Sequence, residues 1–270
     1  MQRRWPILLA ALALSAGTAL AAGGTTAIAN ATTPAVTPSA VNPGGIAHLI
    51  GSTSDVTGAL TQAESTNWAG YADTAGTYTT VSASWTQPAG TCSSGDTYAA
   101  FWIGIDGYSS STVEQTGTEL DCIGKTAEYY AWYEMYPGAS ETYSNTVKAG
   151  DQITATVTWL GGEKFSLYID DSTEGWSHTT DASLGSTPSR TSAEVLVEAP
   201  CCTGSGGVLP LADFHSVTFT GATANGEPIG TPSLDPVQIS MIDSLQKDQL
   251  TCSALTNGGE NFTCTWFRSS

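Results

Sequence analysis

Two side chains stand out as able to do chemistry together. Glu194 lies in Ser192-Ala193-Glu194-Val195-Leu196-Val197-Glu198, and Gln115 lies in Val113-Glu114-Gln115-Thr116-Gly117. A carboxylate can take a proton from water as that water attacks a carbonyl carbon. A primary amide can hold the same water through its oxygen and give its N–H to the developing oxyanion. The pair therefore suits hydrolysis by an activated water. By pattern alone a solvated strand residue is the default reading of Glu194, so the elements that would position both residues carry the argument.

The period-two runs are strands. Phe101, Ile103 and Ile105 alternate with Trp102, Gly104 and Asp106; Ile153, Ala155, Val157 and Trp159 alternate with threonines; Phe165, Leu167 and Ile169 repeat the pattern. Val217 with Phe219, and Val237, Ile239 and Met241, add two more runs. Asn225-Gly226 and Asn257-Gly258 read as tight turns. No stretch forms a convincing amphipathic helix. The pattern predicts an all-β fold, an antiparallel two-sheet β-sandwich.

The faces of these strands carry the functional signal. In Ala127 to Pro137, one face holds Glu128, Tyr130, Trp132, Glu134 and Tyr136. A core face rarely holds two carboxylates, and a plain solvent face rarely holds Trp and two Tyr. A concave, ligand-binding sheet satisfies both; a rim strand whose aromatics shield salt bridges is the structural alternative. Glu194 shares its face with Ser192, Leu196 and Glu198, opposite the apolar Ala193, Val195 and Val197. Asp106 ends a strand beside Trp102 and Gly104, and a glycine there permits close approach of a substrate backbone, although a strand glycine often marks a bulge.

The ends and composition set the context. Met1-Gln2-Arg3-Arg4, the apolar run Trp5 to Leu14 and Ala19-Leu20-Ala21 read as a signal peptide over 1–21. Residues 22–63 are rich in Ala, Thr, Gly, Pro and Ser and read as a propeptide or flexible arm. Seven of eight tryptophans and all ten tyrosines follow, so 64–270 is expected to form one domain. Eight Lys plus Arg face 25 Asp plus Glu, a formal charge of −17, which excludes a nucleic-acid partner and suits acid surroundings. Secretion, no membrane association after signal removal and a monomer are the expectations. Six cysteines fit disulfides in an exported protein: Cys252 with Cys264 closing a terminal hairpin, Cys92 with Cys122 joining neighbouring strands or loops, and Cys201-Cys202 either bridged to each other or paired elsewhere. Zinc-ligand spacing is absent, and no metal or cofactor is expected.

Six blocks give a more specific signal. They are Ser65-Thr66-Asn67-Trp68-Ala69-Gly70-Tyr71, Val81-Ser82-Ala83-Ser84-Trp85, Phe101 to Gly107, Glu114-Gln115-Thr116-Gly117, Ala131-Trp132-Tyr133-Glu134-Met135-Tyr136-Pro137 and Thr191-Ser192-Ala193-Glu194. In this order, over residues 65 to 268, the chain resembles the glutamic peptidases, or eqolisins. That resemblance implies a jelly-roll- or concanavalin-like sandwich of two seven-stranded sheets with a concave substrate cleft. It implies a secreted, metal-independent, pepstatin-resistant acid endopeptidase acting on protein or peptide substrates. It places the catalytic pair on Gln115 and Glu194, with Trp102, Asp106 and Glu134 in support. Trp68, Tyr130, Trp132 and Tyr136 are the candidate subsite residues. Met135, Glu119 and Cys201-Cys202 depart from the pattern of fungal members.

Rival readings remain at this stage. Paired carboxylates among tryptophans also suit a carbohydrate-active or glycan-binding sandwich, with Glu134 and Glu194, or Glu194 and Glu198, as the pair. An inactive peptide-binding relative is a third possibility. A serine peptidase lacks supply: only His178 and His215 follow the arm, without a Gly-x-Ser-x-Gly turn.

Overall fold

The computed structural model describes residues 47, 49–53, 60–200 and 207–270. The expected signal peptide, most of the expected arm and Cys201-Cys202 lie outside the described residues. Among these, the chain runs through β1 (Leu49–Thr53), β2 (Thr61–Ser65), β3 (Trp68–Asp73), β4 (Thr80–Thr86), β5 (Thr97–Ile105), β6 (Val113–Ile123), β7 (Thr126–Tyr136), β8 (Glu141–Thr142), β9 (Gln152–Gly161), β10 (Lys164–Asp171), β11 (Trp176–Ser183), β12 (Ala193–Glu198), β13 (Ser216–Ala224), β14 (Glu227–Pro228), β15 (Pro236–Ile242), β16 (Asp248–Cys252) and β17 (Phe262–Trp266). The helical segments among the described residues are two 3-10 turns, Pro232–Leu234 and Asn257–Gly259.

Hydrogen bonding arranges the strands in two runs. One is β1-β2-β15-β3-β12-β5-β6-β7-β8. The other is β11-β10-β9-β4-β13-β17-β16. The β15–β16 pairing joins them at one edge. Only β2 with β15 is parallel among the strand pairings. Two seven-stranded sheets are thus present, the first extended by β1 at one edge and by the two-residue β8 at the other. β2 straddles the expected domain start at residue 64 and pairs with β15 along its whole length.

The sheets enclose one large apolar core. Phe101, Ile103, Ile105 and Val195 of the first sheet meet Ala83, Ile153, Phe165 and Phe219 of the second. The Tyr71 and Phe262 rings touch across the interface at 4.8 Å, and the Trp85 indole donates to the Thr118 hydroxyl at 3.0 Å. Second-sheet strands obey simple alternation, with β10 burying Phe165, Leu167 and Ile169 and leaving Ser166 and Tyr168 half-buried. The central strands of the first sheet do not. β3 and β12 are buried on both faces, and β5 and β6 nearly so. Their second face covers a smaller cluster that includes Trp68, Trp102, Trp132, Tyr130 and Leu196. One sheet therefore carries both the core and a second, separate enclosed face.

Turn chemistry and cross-links follow the sequence. Asn225 and Gly226 adopt positive φ (52° and 83°) in the two-residue β13–β14 hairpin. Cys92 pairs with Cys122, and Cys252 pairs with Cys264 across β16 and β17. Ile103 is fully buried between Val195 and Thr116 on the core face. Its truncation to alanine removes three buried carbons and leaves a cavity, so Ile103→Ala should lower unfolding free energy by about 2–5 kcal/mol. Denaturant titration measures this, and a loss well under 1 kcal/mol would mean that the core collapses around the site.

Candidate active site

The site is built by register. Across neighbouring strands, Glu194 of β12 lies opposite Gly104 of β5, Gly104 opposite Gln115 of β6, and Gln115 opposite Glu134 of β7. Directly opposed residues point to the same face. Two strand spacings separate the Glu194 and Gln115 backbones, roughly 10 Å, and the residue between them has no side chain. A Cβ on Gly104 would lie 3.1 Å from the Gln115 Cβ, 2.9 Å from Trp102 Cζ3 and 3.2 Å from the Glu114 carbonyl oxygen. The glycine thus keeps open the space into which both side chains reach.

Gln115 is oriented by Glu134. Its Nε2 donates to Glu134 Oε2 at 2.7 Å. A carboxylate only accepts, so this bond fixes which end of the amide is which. Gln115 Oε1 is buried without a hydrogen-bond partner, as are both carboxylate oxygens of Glu194. Buried acceptors without a protein partner are costly, and Glu114, Glu119 and Asp73 carry them as well, so the whole set of enclosed carboxyls shares this property.

Two further rows extend this face. Leu196, Trp102, Gly117 and Trp132 form the next, with Gly117 between the two indoles. A Cβ there would sit 2.2 Å from the Phe101 carbonyl oxygen, so only glycine fits. Glu198, Ala100, Glu119 and Tyr130 form the third, with Trp68 of β3 beside Glu198. Trp68 and Trp102 meet edge to face at 5.1 Å. Asn67 Nδ2 donates to Glu198 Oε1 at 3.2 Å, and the Tyr130 hydroxyl donates to Asp121 Oδ2 at 3.2 Å. Trp68, Trp102, Tyr130, Trp132, Gln115, Glu134 and Glu194 are therefore gathered on one buried face, and Tyr136 packs at its margin.

Asp106 contacts the backbone that leads to Glu194. Its carboxylate accepts the backbone N–H of Arg190 at 2.6 Å and of Thr191 at 2.9 Å, and its own N–H donates to the Ser192 carbonyl at 3.0 Å. It grips the turn that leads into β12 rather than the side chains of Gln115 or Glu194. Sequence reasoning passed over Glu114 and Asp73. Glu114 shares its face of β6 with Thr116 and Thr118, so nothing in the local pattern marked it until pairing set it beside Ile105; Asp73 becomes notable only once β3 and β15 bring it near Asp235.

The electrostatics are those of crowded, dry carboxyls. Burial pushes Glu194 well above the ordinary carboxylate range; the nearby Ser192 hydroxyl pulls it back, and the charges of Asp106, Glu114 and Asp73 push it up. Burial, then Asp235, raises Asp73 to about 9; burial, then Asp106, raises Glu114 to about 8; burial raises Asp121 to about 7. Glu119 and Glu198 are raised well above normal, first by burial. Among the described residues no three His, Cys, Asp or Glu side chains are placed to hold a metal ion.

These shifts have one sign. The unfolded chain releases these protons near pH 4, whereas the folded chain keeps them until about 7 to 9. Between those limits the unfolded state binds fewer protons, so rising pH favours unfolding. The stability contribution is complete below about pH 4 and is lost as pH rises through the folded values. The melting temperature should therefore be highest in acid and fall steadily from pH 4 to 8, with a shallower fall in Asp73→Asn/Glu114→Gln. Differential scanning fluorimetry checks this; a melting temperature that climbs over that interval contradicts it.

Comparison with known proteins agrees with this architecture. The family model described as the Peptidase A4 family matches residues 66–266. Scytalidopepsin B of Scytalidium lignicola is 33% identical over 213 residues, 74% of this chain and 77% of that protein. Aspergillopepsin-2 of Aspergillus niger is 28% identical over 232 residues, 77% of this chain and 80% of that protein. The crystal structure of scytalido-glutamic peptidase with a transition state analog inhibitor matches with a TM-score of 0.65 at 27% identity, over 75% of this chain and 98% of that one. The matched segment includes all four members of the Glu194–Gly104–Gln115–Glu134 row, and on these grounds the chain belongs to the Peptidase A4 family, the glutamic peptidases or eqolisins.

Proposed function

We propose that the protein is a secreted, monomeric acid endopeptidase that hydrolyses peptide bonds with Gln115 and Glu194 and an activated water, without a metal. The observation that carries this reading is the shared register of Glu194 and Gln115 across Gly104, with the Gln115 amide anchored on Glu134. Ionised Glu194 takes a proton from water as the water oxygen bonds to the substrate carbonyl carbon. Gln115 Oε1 accepts from that water, and its second N–H, the one not given to Glu134, donates to the oxyanion. Protonated Glu194 then passes its proton to the amide nitrogen, the C–N bond breaks, and the carboxylate is restored. Trp102 packs over the gap, and the faces of Trp68, Tyr130, Trp132 and Tyr136 receive substrate.

Acid keeps the carboxyl neighbours of Glu194 neutral. Below their shifted values of about 8 and about 9, Glu114 and Asp73 hold their protons. Two of the charges that oppose ionisation of Glu194 are then absent, while burial still holds its carboxyl protonated above the ordinary range, so in acid the base acts through its minor ionised fraction and the protonated form is ready as the acid. At higher pH those neighbours ionise beside it. The glycan reading is weaker because both candidate second carboxylates are engaged, Glu134 by Gln115 and Glu198 by Asn67.

Residues 1–21 act as a signal peptide in this reading, and an arm following it is removed on maturation. Ala47 of that arm packs against the cluster containing Trp68 and Trp102, and its N–H donates to Gly107 O at 3.1 Å. Cleavage must fall before Thr61 to spare β2. The two disulfides fit an extracellular destination.

Hydrolysis of a denatured protein across pH 2 to 8, with pepstatin and EDTA present, tests the reading. Wild type should cleave in acid, and Glu194→Gln should be inactive yet folded. Gln115→Ala should lose roughly 100- to 1,000-fold in kcat. Gly104→Ala should fold but lose most of its turnover, because its Cβ fills the shared space. Full activity in Gln115→Ala, or none in mature wild type, sinks the assignment.

A further inference from the structure

Arg190 has a backbone conformation that its side chain alone does not favour. Its φ is 53°, in the left-handed region, where glycine would be free of steric penalty. Asp106, which it faces, is also left-handed at φ 72°. Non-glycine residues held there call for a reason. Part of the reason is local: the left-handed turn lets two successive N–H groups, of Arg190 and Thr191, converge on the Asp106 carboxylate, and the Thr191 hydroxyl adds a third donor at 3.3 Å. Glycine would serve that purpose more cheaply, so the arginine side chain needs its own explanation.

The side chain braces the turn against the opposite sheet. The guanidinium carbon lies 3.6 Å above the centroid of the Trp159 ring on β9. Nη1 donates to the Tyr78 carbonyl at 3.4 Å, and the Tyr78 N–H donates to the Arg190 carbonyl at 2.9 Å. Residues 190–192 are thus held by Asp106 of β5's end on one side and by Trp159 and Tyr78 on the other. Ser192 and Ala193 follow directly, and then Glu194.

We propose that Arg190 is a positioning residue for Glu194: seated on Trp159, it holds the 190–192 turn on Asp106 and so fixes the root of the strand that presents the Glu194 carboxylate. This rests on the assignment of Glu194 as the base. Displacement of a catalytic group by about 1 Å can cost roughly 100-fold in rate, so a brace four residues before the base acts on kcat more than on substrate affinity.

The test compares Arg190→Gly, Arg190→Ala, Arg190→Lys and Trp159→Leu on a peptide substrate at acid pH, each alongside its thermal unfolding curve. Arg190→Gly and Arg190→Ala should both lose about 10- to 100-fold in kcat with KM within about two-fold, although glycine relieves the backbone. Trp159→Leu should fall in the same range, and the Arg190→Ala/Trp159→Leu double variant should lose no more than the worse single variant, because the two act through one contact. Arg190→Lys keeps a cation over the ring and should recover part of the loss. Wild-type kcat in Arg190→Gly, or losses that vanish when each variant is assayed well below its own melting temperature, would overturn the proposal. If one arginine variant fails to fold, Trp159→Leu and Arg190→Lys still decide it. Glu194→Gln serves as the control. Activity in that variant removes the underlying catalytic reading, whereas an inactive Glu194→Gln beside a fully active Arg190→Gly removes the brace alone.

Discussion

The register of four adjacent strands is the constraint on which the rest of the structure depends. β12, β5, β6 and β7 must pair so that Glu194, Gly104, Gln115 and Glu134 fall in one row. Side-chain direction alternates along a strand, so a slip of one residue would send Glu194 into the apolar core and Val195 onto the functional face. The core enforces the correct register. Ile103, Val195 and Phe101 fill the space between the sheets, and burying a carboxylate in their place would be far costlier. Packing on one face of the sheet thus specifies chemistry on the other.

The same sheet solves a spatial problem with small residues. Gly104 separates Glu194 from Gln115, and Gly117 separates Trp102 from Trp132. Both sit where a Cβ would collide with backbone or ring atoms. Large side chains therefore converge over glycine floors in successive rows. The charge arrangement follows from this enclosure. Buried carboxyls hold their protons more tightly than surface carboxyls do, at Glu194, Glu198 and Glu119 on this face and at Glu114 and Asp73 in the core-side row of Ile105 and Ala193. The excess of Asp and Glu over Lys and Arg in the sequence pointed the same way, but through self-repulsion over the whole surface; the stronger cause is local burial.

Much of the fold and site was legible in the residues. Alternation in Phe101–Ile105, Ile153–Trp159 and Phe165–Ile169 placed strands where β5, β9 and β10 run, and the absence of helical periodicity gave the all-β class. The mixed face of Glu128, Tyr130, Trp132, Glu134 and Tyr136 is indeed distinct from the core face of β7. Asp106 was less legible. The family-like block suggested a supporting role without saying how, and the Asp106 carboxylate turns out to bind backbone N–H groups of residues 190 and 191, about eighty positions away in sequence. Arg190 carried no sequence signal at all, because neither a left-handed φ nor a ring on a neighbouring sheet can be read from composition or periodicity.

The sequence by itself determined what depends on local pattern: which residues lie on which face of each strand, where the chain turns, and which side chains are chemically able to act. Side-chain alternation is a property of a single strand, so it survives without knowledge of the neighbours. Only the tertiary structure decided what depends on which strands become neighbours. β12 could have been a solvated edge; instead β3 and β5 flank it, so Glu194 is buried rather than wet. Glu114 and Asp73, 41 residues apart in the chain, both came to bear on the charge of Glu194 because β6 and β3 lie on either side of β5 and β12. Burial and proximity are pairwise properties of distant segments, and they set the protonation of the site.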